Sequence, residues 1–332
     1  MDVQPDLLRP EYLWFDDGNI ILRAENTIYR LHKSILSAHS EVFRDLFAVA
    51  QADVSEQIEG CPVVCIPDNA VEVTSFLRAV TDPRRVLPAL IPALTDFLTL
   101  YGCMRLSNKY GVDWLHQRAL VHLEHYFSQD LHAFDDAWYD PSDTDRPPEK
   151  TLSWEELDDT SYLICAIVLF REVGAPWMLP VAFHQLALNL PSFRSAAFSE
   201  VNFRGIRAEL SPADKEALFA VSEAQIAAVQ DLTTTFMPVP GAICPDGIKC
   251  AESRAAGLGR ARRMWLSRDC LALRRGDLAM YTVGICESCN DWIADRIDDI
   301  RNKFWDLLPA TCGLSSWQDL AEMKRQSTHS MG

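Results

Sequence analysis

Nowhere does the sequence sustain an apolar run long enough to cross a bilayer. The longest, Tyr162 to Phe170, falls well short of the about 20 residues that a membrane helix needs. Met1 to Asp17 lacks the basic stretch followed by an apolar one that marks a secretory signal. Both absences lead to the expectation of an intracellular protein, without choosing between nucleus and cytoplasm. Thiols stay reduced there, so the ten cysteines read first as core residues or metal ligands, and disulfides come third.

Positive charge is also scarce. Lys and Arg number 31 against 47 Asp and Glu, a net charge of -16. A phosphate backbone would be repelled by most of such a surface, which argues against general nucleic-acid binding. The one basic concentration holds Lys249, Arg254, Arg260, Arg262, Arg263, Arg268, Arg274 and Arg275. It reads either as a phosphate- or acid-binding face or, preferably, as a solvated helix face paired with the aspartates of the next helix. Enzyme signatures are missing as well: no G-x-S-x-G, Walker A or H-E-x-x-H occurs. Gly257-x-Gly259 is followed by Arg262 where a dinucleotide site wants glycine. No internal repeat, heptad run or low-complexity segment is present. The expectation is a protein that is not an enzyme.

What is present is ordinary globular material, 48% hydrophobic and 23% charged over 332 residues, enough for two or three domains with a sizeable core. A first region spans residues 12–128. Asn19 to Ala24 and Thr27 to Leu31 favour strands, joined at Glu25-Asn26, where Asn tolerates the left-handed backbone of a tight hairpin. Ser40 can cap the next helix, and Phe43, Leu46, Phe47 and Ala50 form one helical stripe. Val63 to Ile66 reads as a strand, and Val71 to Val80, Leu94 to Asn108 and Asp113 to Phe127 as helices. Strands that precede helices in this way make an α+β class.

Residues 129–153 form an acidic, proline-containing linker or long loop. Residues 154–236 read as wholly helical, with a capping box at Ser153 and Glu156, a C-cap at Gly174 and a helix starting at Ser211-Pro212. Residues 237–320 are also helical. The best helix runs from Asn290 to Leu308 with the stripe Ile293, Ile297, Ile300, Phe304 and Leu307, Arg301 off that stripe, and Pro309 as its stop.

The stretch "DDGNIILRAENTIYRLHKSILSAHSEVFRDLF", Asp16 to Phe47, resembles the N-terminal half of a BTB/POZ domain. The matching positions are the hairpin, His32-Lys33, Ile35-Leu36, Ser37, Ser40 and Phe43. "LSNKYGVDWLHQRALVHLEHYF" resembles that family's last helical pair. The whole chain is similar to fungal BTB proteins with a helical, cysteine-containing C-terminal extension. The resemblance implies a protein-interaction module that homodimerises as a scaffold. It also implies two rivals: a substrate adaptor of a cullin-type ubiquitin ligase, and a transcription regulator that uses the basic segment. Candidate interaction residues are Asn19, His32 and Lys33 at the corner, with Val86 and Leu87 for a cullin. Asn19 stands where some dimeric members carry an acid, which argues against a charged corepressor pocket. "TDPRRVLPALIP" lacks the glutamate of the cullin-binding motif, which weakens the adaptor reading. His32 itself reads as structural, its ring packing at the corner while it satisfies a backbone group.

Cys244, Cys250, Cys286 and Cys289 stand apart. "CESC" has the spacing of a zinc knuckle, and "CPDGIKC" is a wider C-x5-C with a turn inside it. Each pair sits just before an expected helix, whose N-terminal N–H groups favour thiolates. Four thiolates make a closed, structural zinc site. Ordinary buried thiols are the other reading, since free cysteine behaves as a small hydrophobe. The remaining cysteines, Cys61 and Cys65 among them, read as core.

Overall fold

The structure is a computed structural model that describes residues 7–52, 56–87, 95–137, 159–237, 244, 247–266 and 269–329. Most of the acidic segment, and the capping box at Ser153 and Glu156, lie outside the described residues. The chain divides into two compact units. The first comprises Met1–Met178, Glu200–Ala208 and Lys324–Gly332, and the second comprises Leu179–Ser199 and Glu209–Met323. Among the described residues no helix is long and apolar enough to cross a membrane.

The first unit opens with strands β1 (Ile20–Ala24) and β2 (Thr27–Leu31), paired antiparallel in the register Ala24 to Thr27. Glu25, not Asn26, takes the left-handed backbone of the turn, at φ 52°. The reason lies in its side chain, whose carboxylate accepts the backbone N–H of Ala70 at 3.0 Å and so holds the turn against a helix start. Helices α1 (Lys33–His39) and α2 (Glu41–Ala52) follow with only Ser40 between them. Ser40 Oγ accepts from Phe43 N–H at 3.0 Å and donates to the Tyr110 carbonyl at 2.5 Å, so one hydroxyl caps α2 and ties it to a distant segment. Strands β3 (Gln57–Ile58) and β4 (Cys61–Ile66) complete a sheet of order β2-β1-β4-β3, with β4 parallel to β1. Cys61 is buried as expected, packed with Ile21 and Ile28, whereas Cys65, on the same strand face four residues on, is exposed.

Helices α3 (Ala70–Thr81), α4 (Pro83–Val86), α5 (Phe97–Tyr110), α6 (Asp113–Tyr126), α7 (Leu131–Ala137) and α8 (Ser161–Glu172) build the rest of this unit. The ring of Phe43 stacks on Tyr110 at 4.5 Å and on Phe76 at 6.2 Å, which places α2, α3 and α5 around one aromatic centre. Close approach of α3 and α5 needs Gly102, since a Cβ there would meet the Glu72 carbonyl at 2.8 Å. α8 ends as the sequence indicates, with Gly174 left-handed at φ 69°.

The stretch after α9 (Leu179–Ala197) corrects the wholly helical reading, because it forms a hairpin of β5 (Val201–Phe203) and β6 (Ile206–Ala208). Val201, Phe203, Ile206 and Ala208 are buried in strict alternation, Arg204 and Gly205 both take positive φ, and Asn202 Oδ1 accepts the Gly205 N–H at 2.8 Å. The Phe203 ring meets Phe97 edge-on at 5.8 Å.

The second unit is helical: α9, α10 (Pro212–Thr235), α11 (Gly247–Leu266), α12 (Glu287–Thr311) and most of α13 (Trp317–His329). Ser211 caps α10 by accepting the Asp214 N–H at 3.1 Å. Three details of α12 differ from expectation. Leu308 completes the buried stripe, while Leu307 is exposed. Arg301 is buried, donating to the carbonyls of Leu271 and Leu273. Pro309 does not stop the helix. The carbonyl of Trp305, which Pro309 has no N–H to satisfy, instead accepts the indole N–H of Trp317 at 2.8 Å, and the two Trp rings stack at 5.2 Å.

Candidate functional site

The cysteine cluster is built by two helix starts. Cys250 lies in the first turn of α11 with Cys244 just ahead of it; Cys286 is the N-cap of α12 with Cys289 three residues on. All four sulfurs lie within 4.8 Å of one another. Cys244 and Cys286 are 3.9 Å apart, close to the about 3.8 Å that separates sulfurs around tetrahedral zinc with bonds of about 2.3 Å. The backbone N–H of Cys286 donates to Cys250 Sγ at 3.3 Å. The Cys286 thiol is drawn below its ordinary range, first by the N–H of Cys289 at the α12 start and then by the other sulfurs. Elsewhere burial pushes thiols the other way. Cys165 rises to about 12, and Cys103 and Cys270 also move up. The chain thus keeps buried, inert thiols apart from one cluster suited to thiolates, and that cluster could hold a metal ion. Beside it, Arg254 donates to the Met237 carbonyl at 2.9 Å and lies over the Trp292 ring at 5.3 Å, linking α11 to α12. Arg254 is buried rather than solvated.

Of the remaining basic segment, Arg275 pairs with Asp298 at 2.9 Å and with Asp295, the aspartates of the next helix. The side chains of Arg260, Arg262, Arg263 and Arg268 lie outside the described residues.

Asn19, His32 and Lys33 meet at the strand-to-helix corner of the first unit. Asn19 Oδ1 accepts the backbone N–H of Lys33 at 2.9 Å, so it caps α1 without needing charge. His32 Nε2 lies 3.0 Å from an Asp17 carboxylate oxygen, and its ring tilts against Phe15 at 5.3 Å. It therefore packs, as expected, but its partner is a carboxylate rather than a backbone group. That bond holds the Asp17 carboxyl below its usual range. Val86 ends α4 half-buried, whereas Leu87 is fully buried and its carbonyl accepts from Arg118 Nη1 at 3.2 Å.

One feature escaped the sequence. A polar cleft of about 560 Å³ in the first unit includes Glu25, Glu72, Arg105, Glu172, Asn202 and Arg207 among its walls. Arg105 bridges Glu72 at 2.7 Å and Glu172 at 2.9 Å. Burial raises the Glu72 carboxyl despite that partner. These residues are spread along the chain from Glu25 to Arg207, with no local motif to announce them.

A short mixed sheet, a two-helix corner and a helical cover make the first unit an α+β fold. Residues 16–76 match the family model of the BTB/POZ domain. No curated protein and no solved structure gave a significant match. The chain carries a BTB/POZ domain at its N-terminal end, followed by a mostly helical region, and such a domain is a protein–protein interaction module.

Proposed function

We propose that this protein is a homodimeric scaffold that associates through its BTB/POZ domain, with its second unit stapled by one structural zinc ion. The observation that carries the dimer is an apolar strip left in water on the first two helices. Val42 and Val49 stand 45% and 71% exposed one heptad apart on α2, and Ile35 of α1 stands 38% exposed. Burying that strip against a second copy would remove it from water, while the acidic surface, at net charge -16, disfavours unspecific partners. Light scattering on the full chain should give twice the 37.5 kDa chain mass, stable on dilution. The double variant Val42→Glu with Val49→Glu should return it to a folded monomer with the parent's helix content by circular dichroism, since neither side chain is buried in the core. A wild-type monomer at every concentration refutes the scaffold and moves the cullin-adaptor reading forward, with the half-buried Val86 as the position to test.

The zinc reading rests on four sulfurs converging with two of them at the spacing of a tetrahedral thiolate site. Elemental analysis of reduced protein, purified without chelator, should find about one zinc per chain.

A further inference from the structure

The four sulfurs are not equivalent. Cys250 and Cys289 are each 3% exposed, whereas Cys244 and Cys286 are only half-buried. The two half-buried sulfurs are also in contact with each other, at 3.9 Å. Cys250 and Cys289 sit inside helical turns, and Cys250 Sγ already receives the Cys286 N–H at 3.3 Å. Cys286 is an N-cap with extended backbone, at φ -69° and ψ 157°, and Cys244 lies ahead of α11 altogether. A disulfide needs its sulfurs at about 2.05 Å, so the pair must close by about 2 Å, and both members stand outside helical turns.

We propose that the cluster is a redox-labile metal centre in which a hydroperoxide oxidises the Cys244–Cys286 edge to a disulfide and expels the ion, while Cys250 and Cys289 stay reduced. This inference rests on the zinc reading above. The Cys286 thiolate attacks one peroxide oxygen, the O–O bond breaks, and a sulfenic acid forms with loss of hydroxide. The Cys244 thiolate then displaces a second hydroxide from that sulfur and the S–S bond forms. Two thiolates lose two electrons, hydrogen peroxide gains them, and two solvent protons complete two waters. Zinc, left with two of its four ligands, dissociates, and Cys250 and Cys289 take up protons.

The test uses the full-length chain, reduced and zinc-loaded, in the Cys65→Ser background that removes the exposed thiol on β4. Hydrogen peroxide is added and zinc release is followed with a chromophoric chelator, with peptide mapping after alkylation of remaining thiols. The expected result is release of the bound zinc, a Cys244–Cys286 linkage, alkylated Cys250 and Cys289, and recapture of zinc after thiol reductant. Cys244→Asp keeps a metal ligand but cannot form the disulfide, so its release should slow by at least about tenfold. Should that variant fail to load zinc, the peptide map of the parent decides. Zinc retained under peroxide, or a Cys286–Cys289 linkage in the map, overturns this inference and leaves the structural site standing. Absence of zinc from the reduced protein overturns both.

Discussion

Gln225 meets His184 with the donor end of its amide. One Gln225 nitrogen reaches both the His184 ring Nδ1, at 2.8 Å, and the His184 backbone carbonyl, at 2.9 Å. The carbonyl fixes the amide orientation, because the amide oxygen there would face another acceptor. Nδ1 is therefore an acceptor, and protonating it would set N–H against N–H. Burial lowers the His184 basicity; Asp269, at 3.8 Å from Nε2, opposes that and buried Arg301 adds to it. A histidine whose folded pKa is depressed contributes stability that is present above its unfolded value of 6.5 and lost as pH falls through the folded one. Thermal melts of the second unit should therefore fall in midpoint as pH drops below 6.5, and His184→Gln should flatten that slope. A variant with the parent's slope would move the acid sensitivity elsewhere. Local chemistry at this scale was legible and remote chemistry was not. Ser40 and Ser211 announce their caps within three residues, whereas Gln225 lies 41 residues from His184 and nothing in either neighbourhood names the other. The exposure of Cys65 against the burial of Cys61 was missed because the two share a strand face, and only the side chains brought over Cys61 from elsewhere, Ile21 and Ile28 among them, tell them apart.

Among the elements, α12 shows how a rule of sequence reading is overridden. Proline leaves the carbonyl four residues back without a donor, and that ordinarily ends a helix. Trp317 supplies the missing donor from α13, so α12 continues to Thr311. Trp317→Phe should cost about 1–2 kcal/mol in chemical denaturation, because the Trp305 carbonyl loses its partner. Pro309→Ala restores a backbone donor at that carbonyl, so the double variant should recover part of the loss. A strictly additive cycle would show that the indole bond and the proline are unconnected. The β5–β6 hairpin was overlooked for a different reason. Its eight-residue alternation V-N-F-R-G-I-R-A carries a left-handed Arg-Gly turn, a readable signal, but it is short and flanked by two long helices. The cysteine quartet was legible in kind from C-x2-C beside C-x5-C. Its geometry was not, because the distance between the starts of α11 and α12 is set by packing, including Arg254 over Trp292.

For the molecule as a whole, composition and element order were enough to give the α+β class and the helical continuation, and the resemblance carried by Asp16 to Phe47 implied the interaction module. They said nothing of the polar cleft, whose walls come from Glu25 to Arg207. The same long-range assembly bears on the hairpin of residues 201–208, which belongs to the first unit although the helices on either side of it belong to the second. Phe203 covers Phe97 and lies 6.4 Å from Tyr162, so a fragment of residues 1–178 leaves both rings without that cover. Such a fragment should melt below the same fragment carrying residues 200–208 through a flexible linker, as circular dichroism can show. The first unit is consequently not a cassette that can be cut out at one point and grafted onto another protein. Any recombination that moves it intact must carry along a downstream insert, which couples the inheritance of the two halves.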